Sequence, residues 1–533
     1  MRRDPASPEP HREEETPEAS VALPAERNAL SSQDAVVAHG DAPFATALSW
    51  SYALTGSRVV VSLLVSLVLA RLLGPEAFGL VAMGLAFVAA IELLVKQGLT
   101  AAIVQRSELR PSHLDAAFWM TVAAIMLLTP VALLSSGWWS RLNETPELEP
   151  VLLALSLLIP LRGLTVVQEA VLLRDLGFRL LAIRTASATV VGGVLGILAA
   201  FMGAGVWALV IQQLTAATVE LLLIWTLGRW RPAWRFQRSR AGELLGFSGK
   251  TTAAALSVFL QRQADALLIG LFFGPLVVGL YRMASRLVSI ALEVASSALQ
   301  SAFLPELSRH QADDDAFRRR TLELLRVSAL LAVPLLGGLV VIARPLLALL
   351  GGDWAAAVVA VQLMALLAVV HAIAIFTGPI LQAAGRPGTF AVLTAVTGGL
   401  SVLTLVGAGV LISTTDTEQQ VTLLAAARTL VLGSAFALIV VPVLRRVVGV
   451  RASQLLRALA PASVAAMLGV GGAEAFRWMA GDWWPAAAFP ALLVTGTSYA
   501  ILTLAGLAVF EPQVRALTFN LLERSGSLRT RRR

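Results

Sequence analysis

The chain has 533 residues, of which 57% are hydrophobic and only 14% charged, with a mean hydropathy of +0.75; a soluble chain carries about a quarter charged residues. That much apolar surface cannot be hidden in one or two globular cores, so the solvent is a bilayer. The absence of cysteine excludes a disulfide scaffold, thiol catalysis, iron–sulfur clusters and thiolate zinc sites. The net charge of +8 rests almost entirely on arginine and sits in short segments between apolar stretches, which points to lipid headgroups and membrane orientation rather than to nucleic acid.

Residues 1–43 are rich in Pro, Glu, Ala and Ser, include HREEE at 11–15, and hold no apolar run; they read as a disordered cytoplasmic tail. The first hydrophobic segment comes too late and runs too long for a signal peptide. From there about fourteen apolar stretches follow, each long enough to cross roughly 30 Å of hydrocarbon as helix. They fall roughly at 46–72, 78–98, 114–138, 150–172, 180–202, 205–227, 248–273, 277–303, 323–350, 355–383, 388–412, 421–443, 456–475 and 486–510. The fold class is therefore an all-α polytopic membrane protein. Basic residues crowd the loops after even-numbered spans, above all 229–240, and the tail 529–533; the opposite loops carry Arg71, Arg141, Arg344 and Arg477. This bias predicts that both termini are cytoplasmic. The loops on the other side are short and leave no room for an extracytoplasmic domain.

Residues 72–80 read LLGPEAFGL and residues 272–280 read FFGPLVVGL, with a weaker echo between TVVGG at 189–193 and AVTGG at 395–399. Spans 1–6 and 7–12 thus form two six-helix lobes. An even number of spans per lobe gives both the same orientation, a parallel repeat about the membrane normal, as in alternating-access transporters. The expected organisation is a tail at 1–43, an N-lobe at 44–228, a basic linker at 229–247, a C-lobe at 248–445, two additional spans at 446–512 and a basic cytoplasmic tail at 513–533.

Charges inside spans carry the functional information, because each costs about 2.5–3.5 kcal/mol to insert and persists only beside a partner or a watery cavity. In span 8, Arg282, Arg286, Ser289, Glu293, Ser296 and Gln300 recur at steps of four and three and share one face. Ser51, Thr55, Arg58, Ser62 and Ser66 do the same in span 1, where Arg58 has no acid in its own span. Span 7 adds Gln261, Arg262 and Asp265, span 4 adds Arg162, Thr165 and Glu169, and span 2 adds Glu92 one turn before Lys96. Two readings fit these stripes. One is glue between helices, with Arg262 paired to Asp265 and Arg286 to Glu293. The other is a cationic cavity in which Arg58, Arg162, Arg262, Arg282 and Arg286 hold an anionic headgroup through bidentate hydrogen bonds. The surplus of arginine over acid favours an anion.

The remaining signals are weaker. GKT at 249–251 lacks the earlier glycine of a phosphate loop, since position 244 is leucine, so no ATP site is expected. His371 reads as a buried polar residue before it reads as a proton carrier. Asp313 to Asp315 before Arg318 to Arg320 reads as a solvated loop or helix start. Gly192 and Gly196 are spaced for close helix packing, and the scattered histidines form no metal-ligand pattern.

The stretch LVLARLLGPEAFGLVAMGLAF at 67–87, with GLTAAIVQR at 98–106 and HLDAAFW at 113–119, resembles the oligosaccharide flippases that translocate O-antigen and exopolysaccharide precursors. These belong to the multidrug/oligosaccharidyl-lipid/polysaccharide exporter superfamily. FGPLVVGLYRMASRLV at 273–288, FLPELSR at 303–309 and GRPG at 385–388 are similar to the second half of the same family. The resemblance covers roughly residues 46–445. It implies a V-shaped bundle of two lobes that moves undecaprenyl-diphosphate-linked oligosaccharide across the bacterial inner membrane. It also implies that cavity arginines bind the diphosphate, with Arg58 and Arg262 in corresponding first spans; whether a polysaccharide polymerase or ligase is a partner stays open. The protein would be a transporter and not an enzyme, with no cofactor other than protons or Na⁺ coupled through Glu92, Asp265 and Glu293. The competing class is a cation-coupled drug exporter, which predicts an acid-rich cavity. A glycosyltransferase or polymerase would need an ordered outer loop over the sugar, and a mere scaffold leaves the repeat and the intramembrane arginines unexplained.

Overall fold

The computed structural model describes residues 42–511 apart from 97–98, 107–108, 176, 229, 235–236, 413–414, 484 and 486; the side chains of 42–59, and several within 238–262 and 297–302, also lie outside the description. The chain parts into two compact units, Met1–Leu54 and Thr55–Arg533. The described part of the first, residues 42–54, is helical. In the second, every regular element among the described residues is a helix, as a bilayer demands of a chain whose backbone polar groups must pair within their own segment.

In chain order the helices are α1 (Ala42–Lys96), α2 (Leu99–Gln105), α3 (Pro111–Leu142), α4 (Leu148–Leu155), α5 (Leu158–Gly163), α6 (Val166–Arg174), α7 (Phe178–Phe201), α8 (Trp207–Leu227) and α9 (Arg238–Ser308). They continue with α10 (Asp314–Ala348), α11 (Val358–Ala374), α12 (Thr377–Ala383), α13 (Pro387–Ile412), α14 (Thr417–Ala435), α15 (Val441–Val448), α16 (Ala452–Ala480) and α17 (Ala488–Phe510). Among the described residues, 11 are long and apolar enough to cross a membrane, or 12 when the bent run Leu148–Gly163 plus Val166–Arg174 is one span. Length and composition alone do not confirm the fourteen expected; α1 and α9 each join two helices across a non-helical glycine and run through two expected spans.

Both long helices are interrupted at the repeated Gly-Pro. Gly74 has φ 73° and ψ 174°, and Gly274 has φ 76° and ψ −178°. Glycine supplies the positive φ that side chains avoid, and the proline that follows opens the next helix without needing its missing N–H. The two halves share a second irregularity. The fourth span of each is broken, between α5 and α6 in the first and between α11 and α12 in the second. A π-helical turn, Phe436–Val440, separates α14 from α15.

Spans 13 and 14, here α16 and α17, pack on each other and on α10. The Tyr499 hydroxyl donates to the Pro334 carbonyl at 2.8 Å, beside Gly337 and Gly338, which leave room for the ring. Arg326 grips the carboxylate of Glu511, 1% exposed, with two hydrogen bonds of 2.9 and 2.8 Å. The added pair is thus fastened to the second half. Gly192 and Gly196 of α7 face Gln212 of α8 at close range, the packing expected of them.

Candidate functional site

The halves meet where their Gly-Pro turns cross. A β-carbon at Gly79 would stand 1.7 Å from the Pro275 carbonyl oxygen, and one at Gly279 would stand 1.9 Å from that of Pro75. The contact is reciprocal, as a two-fold relation between halves requires. At the same end Trp354, 1% exposed, donates its indole N–H to the Ala70 carbonyl at 3.1 Å and meets Phe78 edge-on at 5.8 Å. Arg71 bonds the Leu349 carbonyl there as well.

The opposite end is joined differently. Glu243, on the extension of α9 that leads into the second half, binds Arg106 and lies 3.4 Å from His113. Asp115 accepts the Ala233 N–H at 2.9 Å, Trp119 donates to the Ala233 carbonyl at 2.9 Å, and Trp119 stacks near Trp234 at 4.6 Å. The HLDAAFW motif therefore anchors the basic linker to α3. Both ends of the bundle carry contacts between the halves.

Between these ends lies the polar face of α9. Arg286 reaches across to α1 and donates to the Ser62 hydroxyl at 2.8 Å and toward its carbonyl at 3.4 Å. Arg282, one turn earlier and half-buried, donates to Gln263 at 3.3 Å. Ser289 and Glu293 are exposed further along the same face, and Glu293 makes no ion pair among the described residues. Glu293 is seven residues from Arg286, about 10.5 Å of helix rise, too far for the pairing one reading expected.

The other charges neutralise one another inside their own halves. Glu92, 6% exposed, receives Arg162 at 3.2 Å and lies 3.7 Å from Lys96, while Arg162 also reaches Gln213 at 3.4 Å. Asp265, 6% exposed, binds Arg428 of α14, and the same guanidinium nitrogen donates to the Tyr281 hydroxyl at 2.7 Å. Among the described residues Asp265 therefore has a long-range partner, Arg428. Arg428 escaped the sequence reading, although a lone charge in the middle of an apolar span was the signal that could have found it. The side chains of Arg58 and Arg262 lie outside the described residues.

Among the described residues, the junction of the halves carries a pair of guanidiniums one helical turn apart, Arg282 and Arg286, with Glu293 two turns beyond. Two planar forks so close repel each other and suit an anion with several oxygens.

A family model described as "Polysaccharide biosynthesis protein" matches residues 68–359, both Gly-Pro turns included. The chain belongs to that family. Among its relatives, the succinoglycan biosynthesis transport protein ExoT of Rhizobium meliloti (strain 1021) is 30% identical over 302 residues, 56% of this chain and 61% of its own. The teichuronic acid biosynthesis protein TuaB of Bacillus subtilis (strain 168) is 25% identical over 299 residues, 55% of this chain and 62% of its own. The lipopolysaccharide biosynthesis protein WzxC of Escherichia coli (strain K12) is 24% identical over 341 residues, 63% of this chain and 69% of its own. The match thus spans less than two thirds of ExoT and of TuaB. Among solved structures, the lipid II flippase MurJ in an inward closed conformation superposes with a TM-score of 0.69 at 11% identity, covering 87% of this chain and 99% of MurJ. An inward-facing multidrug resistance MATE transporter of the MOP superfamily gives 0.52 at 15% identity, covering 71% of this chain and 93% of the transporter. At such identities the likeness is one of fold: the chain has the fold of this superfamily.

Proposed function

We propose that the chain is a flippase for a lipid-linked oligosaccharide, carried on undecaprenyl diphosphate, in bacterial surface-polysaccharide synthesis. The observation that carries this reading is the Arg282–Arg286 pair at the junction of the halves, tied to Ser62, while Glu92 and Asp265 are neutralised within their own halves by Arg162 and Arg428. A cationic junction suits a diphosphate and disfavours the cationic drugs that an acid-rich cavity would take. The relatives' names, which concern succinoglycan, teichuronic acid and lipopolysaccharide, support a polysaccharide precursor.

By the arginine bias of its loops, the Gly-Pro end faces outward and the end bearing Glu243 faces the cytoplasm of the inner membrane. Transport then proceeds by alternating access: contacts at one end part while those at the other hold, and the arginines follow the diphosphate as the prenyl chain stays in lipid. A polymerase or ligase would receive the product. Coupling to protons or Na⁺ rests on Glu293, the acid of the three expected that makes no ion pair among the described residues; it can act only if its occupancy biases the two states differently.

The test is binding of undecaprenyl-diphosphate-linked sugar to purified protein in nanodiscs, wild type against R286A, R58A and R262A, with a cationic dye as the competitor class. Loss of a charge-assisted bidentate contact is expected to weaken binding of the lipid by roughly tenfold or more. Lipid binding indifferent to all three substitutions would remove the anion site, and dye binding alone would favour the drug exporter.

A further inference from the structure

A second cavity lies within the C-lobe, away from the junction. It has a volume of about 360 Å³, is open on one side, and is lined by α11, α12, α13 and α14 together with the π-helical turn. Its wall is largely apolar, with Leu367, Leu393, Phe390 and Phe436, and carries a few polar groups: Arg428, His371, Thr397 and Ser401. The size is that of a small-ligand pocket, and apolar lining with sparse convergent polar groups is the usual make-up of one. Helical irregularities of the kind found at Phe436–Val440 recur at functional sites.

Arg428 is the anchor. One of its nitrogens, Nη1, serves both Asp265 and Tyr281. Nε and Nη2 donate to nothing, and neither is sealed from the cavity that the side chain lines. A guanidinium held on one edge by a carboxylate thus presents its other edge to an apolar chamber at mid-span.

We infer that this cavity is a separate binding site for a single-chain lipid with an anionic head, whose carboxylate or phosphate meets the open edge of Arg428 while its chain lies among Leu367, Phe390, Leu393 and Phe436. The site lies beside the Arg428–Asp265 pair within the second half, and its occupancy stiffens that half by joining α11, α13 and α14 through one ligand. The anion completes a donor set that Asp265 satisfies only in part.

The experiment uses the full chain in phosphatidylcholine nanodiscs, with radiolabelled palmitate and hexadecyl phosphate as anionic probes and hexadecanol as the uncharged one. Either anion is expected to bind at least about tenfold tighter than hexadecanol, and which of them binds tells carboxylate from phosphate. Ser401→Phe fills the chamber without touching the Arg428–Asp265 pair and should weaken all three probes at least tenfold. Removing both charges together, with R428M and D265N, avoids stranding a carboxylate and should erase the preference for anions. Equal binding of anions and hexadecanol by the wild type, or palmitate binding untouched by Ser401→Phe, would overturn the proposal.

Discussion

Replacing Gly79 by alanine places a β-carbon 1.7 Å from the Pro275 carbonyl oxygen, where ordinary contact is about 3.5 Å. The crossing helices must separate by roughly the difference, and overpacking of that kind costs about 1–3 kcal/mol. At 1.4 kcal/mol per tenfold, the arrangement joined at this end loses roughly 5- to 150-fold in population relative to one in which the end is parted. Gly279→Ala is the mirror experiment, with 1.9 Å to Pro75, and should act alike. The double substitution should do less than the product of the two, because helices already pushed apart have room for the second methyl. The natural chain has no cysteine, so V278C, at a position 0% exposed beside the crossing, supplies a single thiol whose maleimide labelling rate reports the parted population. Labelling should rise at least about fivefold in G79A and in G279A. L155C, equally buried in the first half, should stay unreactive. Unchanged rates at Val278 in both variants would refute the reasoning, and a parallel rise at Leu155 would assign the effect to general loosening.

Two further predictions concern charge. Arg162→Ala leaves Glu92 buried beside Lys96 alone and should lower stability by about 1–3 kcal/mol, the lower end being favoured because the Arg162 side chain is 32% exposed; adding E92Q should restore most of the loss in a thermal-unfolding measurement. At the start of α10, the Asp313 carboxylate accepts the backbone N–H groups of Asp315 and Ala316, both at 2.9 Å, which holds its pKa below the ordinary carboxylate value. A lowered folded pKa means that the cap contributes fully above the unfolded value of about 3.9 and is lost as pH falls through the folded one. The protection of the Ala316 amide, its slowing of exchange relative to the intrinsic rate at the same pH, should therefore fall below about pH 4 in the wild type, while D313N, which keeps an accepting oxygen, should lose that dependence. Equal pH profiles for the two would refute it.

Much of the fold was legible because the responsible physics is local. An apolar run of membrane length has one solution in hydrocarbon, a helix, and the Gly-Pro dipeptide writes a positive φ followed by a helix start into the chain wherever it occurs. The same locality made the stripe of Arg282, Arg286, Ser289 and Glu293 readable from spacing alone. The count of spans turns on the same dipeptide: a single non-helical glycine separates two helices within α1 and within α9, so the fourteen expected are met only where each is divided at its Gly-Pro.

Composition and periodicity by themselves determined that this chain crosses a membrane many times, that it is built from a repeat, and that arginine dominates its polar faces. Which arginine answers which acid was decided only by packing. Among the described residues Asp265 is met by Arg428, 163 residues along the chain, and Glu92 by Arg162 from 70 residues away. Nor could the sequence tell that Gly79 and Gly279 each lie against the other half's proline, or that the end of α17 is clasped to α10 by Arg326 and Glu511. Local conformation is a property of a few neighbouring dihedrals, whereas ion pairs and crossings depend on the relative placement of distant helices, which only the folded bundle fixes.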